Sequence, residues 1–156
     1  MNTSLFYIDI QILLMIDAGP KMEADILVVD DNPDIVETLK AVFEAEDPNL
    51  TVRGAGSGME ALDIMREKPP DIVLLDILMP QMTGWDVASA MREDEGLKDI
   101  PIVYLTAKSD ILSRDMGNLS GEDYVLKPFD SDDLIRRVKE VLFKTSYVKN
   151  QINLFK

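Results

Sequence analysis

A chain of 156 residues with 46% hydrophobic and 29% charged content holds enough apolar material for one domain with a real core, which excludes disorder throughout. Its 16 Lys and Arg stand against 29 Asp and Glu, a net charge of −13, so direct nucleic-acid binding is disfavoured because no basic surplus exists to neutralise phosphates. Absence of Cys removes disulfides, thiol catalysis and zinc-cysteine sites, and absence of His removes the commonest general base, so any metal must be held by oxygen, as suits Mg²⁺.

Residues 1–23 read as an N-terminal extension, either upstream of a true start at Met22 or a contact for an apolar partner or a membrane surface. Leu5 to Ile16 is almost wholly apolar, but Asp9 and Gln11 interrupt it and it is too short to span a bilayer. No Lys or Arg precedes the run, which argues against a secretory signal, so the expectation is a cytoplasmic protein with no transmembrane segment. Phe6, Ile8, Ile10 and Ile12 alternate with Tyr7, Asp9 and Gln11 as in a strand, and Gly19-Pro20 breaks the chain.

Ile26-Leu27-Val28-Val29 is a short aliphatic run, hence a buried strand, and it ends in Asp30-Asp31. Asn32-Pro33-Asp34 then supplies an N-cap, a first-turn proline and a first-turn acid for a helix whose stripe is Ile35, Leu39, Val42 and Phe43. Leu50 to Ala55 alternates like a half-buried edge strand, and Ser57 with Glu60 forms a capping box for a second helix buried through Ala61, Leu62, Ile64 and Met65.

Ile72 to Leu75 is a third buried strand, led in by Pro69-Pro70 and closed by Asp76, and Pro80 and Gly84 mark the loop into a helix from about Thr83 to Met91. Pro101 to Thr106 is the fourth strand, Ser109 caps a weak helix toward Met116, and Asp123 to Leu126 is the fifth strand, closed by Lys127-Pro128. A last helix runs from about Ser131 to Phe143, leaving 144–156 as a short tail. Strict alternation of strands and helices predicts an α/β fold with a parallel sheet covered on both faces.

In such a fold Asp30, Asp31, Asp76, Thr106 and Lys127 reach the same edge of the sheet. Three neighbouring carboxylates repel, and a divalent cation held by Asp31, Asp76 and Asp30, with the backbone carbonyl of Leu78, resolves the conflict. Taken singly these residues also suit blander roles: Asp30, Asp31 and Asn32 as caps, Thr106 as a turn hydroxyl, Tyr124 as a strand aromatic.

From Ala24 to Phe143 the chain resembles the receiver domain of two-component response regulators, in the single-domain form. The resemblance rests on Asp30-Asp31, on Asp76 before Ile77-Leu78-Met79-Pro80 and Gly84, on Thr106-Ala107, and on Lys127-Pro128-Phe129, in that order and spacing. It implies a flavodoxin-like doubly wound (βα)5 fold with strand order 2-1-3-4-5. It further implies that Asp76 is the phosphoacceptor, that Asp30 and Asp31 hold Mg²⁺, and that Thr106, Ala107 and Lys127 contact the phosphoryl group. By the same resemblance the Lys127-Pro128 bond is cis and Tyr124 is the switch aromatic, turning inward when Thr106 moves.

The implied partners are a sensor histidine kinase or histidine phosphotransfer protein upstream and a protein target on the switch face downstream. With no His the chain cannot be the phosphohistidine donor and must be the recipient. It would catalyse its own aspartyl phosphorylation and dephosphorylation while serving mainly as a signalling switch, as a monomer or a phosphorylation-dependent dimer. Lys144 to Lys156 is too short for an output domain, so output through a partner is expected. A relay intermediate, a phosphate sink and a non-phosphorylated scaffold are the alternatives, the last weakened because no acid, hydroxyl or lysine of the set is missing.

Overall fold

The computed structural model describes residues 22–107 and 123–154. Nine elements are described in chain order: β1 (Ala24–Val29), α1 (Pro33–Glu46), β2 (Leu50–Ala55), α2 (Gly58–Glu67), β3 (Ile72–Asp76), α3 (Gly84–Glu93), β4 (Ile102–Ala107), β5 (Asp123–Lys127) and α4 (Ser131–Leu154). The five strands are all parallel and lie in the order β2-β1-β3-β4-β5, as expected. The helix expected after Ser109 and the strand-like N-terminal run lie outside the described residues.

Alternation along each strand sorts the core into two layers. Ile26, Val28, Ile72, Leu74, Val103 and Leu105 pack under Leu39 and Phe43 of α1 and Leu134, Val138 and Val141 of α4. Leu27, Val29, Val73, Leu75 and Tyr104 face the other way, onto Ala61 and Met65 of α2 and Val87 and Met91 of α3. Each fully buried aliphatic or aromatic side chain contributes about 1.5–3 kcal/mol, so the continuous runs in β1, β3 and β4 secure the centre of the sheet. The edge strand β2 instead buries only Leu50, Val52 and Ala55. Asp25, a buried acid in β1, is ion-paired with Arg53 at 2.9 Å and Lys68 at 3.2 Å, which ties β1 to β2 and to the end of α2.

Two local readings need correction. The Ser57 hydroxyl accepts from the Glu60 N–H as a cap should, but the Glu60 carboxylate reaches back to the N–H of Gly56, not of Ser57. The last helix does not end near Phe143. It runs on to Leu154, because no Gly or Pro interrupts 144–154.

Candidate functional site

Strand register delivers the polar residues to one edge. Asp76, the last residue of β3, pairs with Leu105, one residue before Thr106, and Ala107 pairs with Lys127. Asp30 follows directly on β1 and its N–H donates to the Ala55 carbonyl at 3.1 Å, which holds it against β2. Its carboxylate accepts from the Asn32 N–H at 2.9 Å and from Lys127 Nζ at 2.7 Å. Asn32 caps α1 by accepting from the Asp34 N–H, so the turn carrying Asp31 is anchored on both sides.

Asp30, Asp31 and Asp76 each present a carboxylate oxygen within 4.8 Å of the others. Asp30 and Asp76 are buried whereas Asp31 is exposed, so the cluster opens to solvent on one side. Lys127 Nζ also lies 3.3 Å from Asp76 and bridges the two buried acids. Burial foremost, then the charge of Asp30, pushes the Asp76 carboxyl up to about 6 against the opposing pull of Lys127. Burial draws the Lys127 ammonium down, but its hydrogen bond to Asp30 and the charges of Asp76 and Asp30 outweigh that and leave it raised. Three carboxylates around one ammonium leave an excess of negative charge on oxygen donors, a donor set suited to a hard divalent cation.

The other expected residues are placed as follows. Leu78 lies in the loop after β3 with its side chain exposed, and the half-buried Ala107 closes β4. Thr106 is fully buried and its hydroxyl donates to the Ala107 carbonyl at 3.1 Å. The Lys127-Pro128 bond is cis. Tyr124 stands away from the carboxylates, stacked on Tyr104 with ring centres 5.2 Å apart, and Tyr104 in turn meets Trp85 at 4.8 Å. The Tyr124 hydroxyl is buried and finds no hydrogen-bond partner among the described residues, and its burial first, with Tyr104 second, pushes it up to about 12.

Sequence reasoning missed what positions the loop after β3. Gly84 passes so close to β3 that a Cβ there would stand 2.3 Å from the Asp76 carbonyl oxygen, and its N–H donates to the Ile77 carbonyl at 2.9 Å. Thr83 and Asp86 form a reciprocal capping box at the start of α3, a pattern that was available as Thr followed three residues later by an acid. Gln81 takes up the turn between them and Asp76 with φ of 67°.

A family model described as the response regulator receiver domain matches residues 26–139. The DNA-binding response regulator MtrA of Mycolicibacterium smegmatis is 45% identical over 119 residues, covering 76% of this chain and 50% of that protein. The probable transcriptional regulator ycf27 of Guillardia theta is 35% identical over 132 residues, covering 84% of this chain and again 50% of that protein. The chain thus spans about half the length of the curated relatives it matches, and DNA binding is stated of MtrA. Among solved structures, a putative response regulator from Chloroflexus aurantiacus superposes with a TM-score of 0.70 at 34% identity, covering 78% of this chain and 98% of that one. The chemotaxis response regulator CheY4 of Vibrio cholerae gives 0.69 at 26% identity, covering 77% and 99%. Among the described residues no helix is long and apolar enough to cross a membrane. With the family model spanning most of the fold and the strand-end residues at the expected edge, the chain belongs to the response regulator receiver domain family.

Proposed function

We propose that Asp76 accepts a phosphoryl group from a phosphohistidine on a histidine kinase or phosphotransfer protein, and that the chain thereby works as a signalling switch. The observation that carries this reading is the Lys127 ammonium bridging Asp30 and Asp76 at the end of β3, beside the exposed Asp31. In the step, an Asp76 oxygen bonds to phosphorus while the bond from phosphorus to the donor imidazole breaks, and the imidazole leaves with the electron pair. A carboxyl titrating at about 6 is mostly ionised at neutral pH and so available as the nucleophile.

Asp30, Asp31, Asp76 and the Leu78 backbone carbonyl would hold Mg²⁺, which when bound supplies charge neutralisation for the phosphoryl oxygens. Lys127, the Thr106 hydroxyl and the Ala107 N–H contact those oxygens, and water later hydrolyses the acyl phosphate. Phosphorylation then biases the packing of Thr106 and of the Tyr104-Tyr124 pair, and a protein partner reads the change in a cytoplasmic setting. A net charge of −13 supports output through protein contacts and not through nucleic acid bound by the receiver itself. Phosphotransfer profiling against the histidine kinases of the host tests the reading: label should move from a kinase histidine to this chain and not to Asp76→Asn. Equal labelling of both proteins would refute it.

A further inference from the structure

The last buried residue of α4 is Leu142, yet the helix continues to Leu154. The apolar stripe that seals the core through Leu134, Val138 and Val141 goes on at the same spacing through the half-buried Thr145 to Val148 and Ile152, which are exposed. Tyr147 is 46% exposed, Val148 54%, Ile152 53% and Leu154 76%, a concentration of exposed apolar side chains that the rest of the described surface does not repeat. Val148 and Ile152 overhang a groove of about 420 Å³ whose other wall is Asp99 and Pro101, ahead of β4. A smaller cavity shares Thr145 and Lys149 with it and is lined by Met22 and Ala24 at the start of β1.

We propose that this groove and helix face are the docking site for the apolar Leu5–Ile16 segment of the same chain. Met22 packs against the core and lines the smaller cavity that shares Thr145 and Lys149 with the groove, so the first described residue stands beside the overhanging helix. The connection Asp17-Ala18-Gly19-Pro20-Lys21 extends about 17 Å at roughly 3.4 Å per residue, and Gly19-Pro20 permits a sharp turn. Charge agrees with the assignment. The groove's charged lining is Lys144 and Lys149 on the helix against Asp99 on the other wall, a surplus of one positive charge, whereas Met1 to Asp17 carries Asp9 and Asp17 and no Lys or Arg. A second copy would compete for the same stripe, but it must overcome the repulsion of two bodies of charge −13, while the tethered segment is present at a millimolar effective concentration, to order of magnitude.

The full chain has no Cys, so introduced pairs report contact cleanly. Ile152→Cys combined in turn with Ile8→Cys, Ile10→Cys and Ile12→Cys should give, in at least one combination, an intrachain disulfide seen as a monomer with both thiols lost. Disulfides formed only between chains would assign the stripe to a second copy, and none in any combination would overturn the proposal. Hydrogen exchange provides an independent reading. Amides of residues 5–16 should exchange at least ~10-fold more slowly than in an unstructured peptide, and the double variant Val148→Asp, Ile152→Asp should abolish the protection. Both positions are exposed, so the variant keeps its core, and exchange at the unprotected rate in the parent chain, or protection that survives the variant, would refute the docking.

Discussion

The Lys127 ammonium donates to the Asp30 carboxylate at 2.7 Å, so a lysine from the end of β5 is moored on an acid from the end of β1, across the full depth of the site. Asp30 is 1% exposed, and removing the cation would leave it buried without its charge partner. Lys127→Met should therefore lower the metal-free unfolding free energy by about 2 kcal/mol in urea denaturation, somewhat less than for a fully buried pair because the lysine is partly exposed. It should also slow phosphorylation at least ~10-fold while Mg²⁺ affinity holds, since the oxygen donors remain. An unchanged phosphorylation rate would place the lysine outside the chemistry.

Asp76 makes the stability of the metal-free protein depend on pH. Burial first and Asp30 second push its carboxyl from 3.8 to about 6, so the folded state holds the proton more tightly than the unfolded chain does. The stabilisation from the neutral acid is complete below the unfolded value and is lost as the pH rises through about 6. In EDTA, Asp76→Asn should thus be more stable than the parent at pH 8, by about 3 kcal/mol for a shift of roughly two pKa units, with the difference shrinking toward pH 4. Urea midpoints across that range decide it, and a pH-independent difference would contradict the assignment.

Gly84 is required by a close approach of backbones. In Gly84→Ala the new methyl would press on the Asp76 carbonyl oxygen and the Ile77 Cα, neither of which is the end of a flexible side chain. A cost of about 3 kcal/mol is expected, at the upper end of overpacking penalties, together with slower phosphorylation as the acceptor loop shifts. Thermal unfolding of the variant with stability equal to the parent would show that the loop adapts freely.

Asp31 is exposed, and the Lys127 ammonium bridges Asp30 and Asp76 instead, so the role of Asp31 is separable from folding. Asp31→Ala should keep its unfolding free energy within about 0.5 kcal/mol of the parent yet bind Mg²⁺ at least ~10-fold more weakly. Titration of Mg²⁺ against the fluorescence of Trp85, whose ring packs on Tyr104 just after the acceptor loop, measures the affinity. Equal affinities would remove Asp31 from the metal site.

The strand-end residues were legible because each aliphatic run in a parallel sheet stops abruptly at a polar residue, and a shared strand direction sends all those ends to one edge. Asp30, Asp31, Asp76, Thr106 and Lys127 needed nothing more. The extent of α4 was not legible, since burial stops at Leu142 while the backbone meets no breaker before Leu154. Nor was the stacking of Tyr124 on Tyr104, which depends on the β4–β5 register pairing those two residues, or the constraint on Gly84, which depends on how α3 returns to β3. The last two are tertiary outcomes that no local pattern records, whereas the run 144–154 free of Gly and Pro was a local signal outweighed by the end of the buried stripe.

The most direct test of the central claim is the intact mass of the protein after incubation with acetyl phosphate and Mg²⁺. The account predicts a single phosphoryl adduct on the parent chain, none on Asp76→Asn, and none on the parent when EDTA replaces the metal. An adduct of equal extent on Asp76→Asn, or no adduct on the parent, would contradict it.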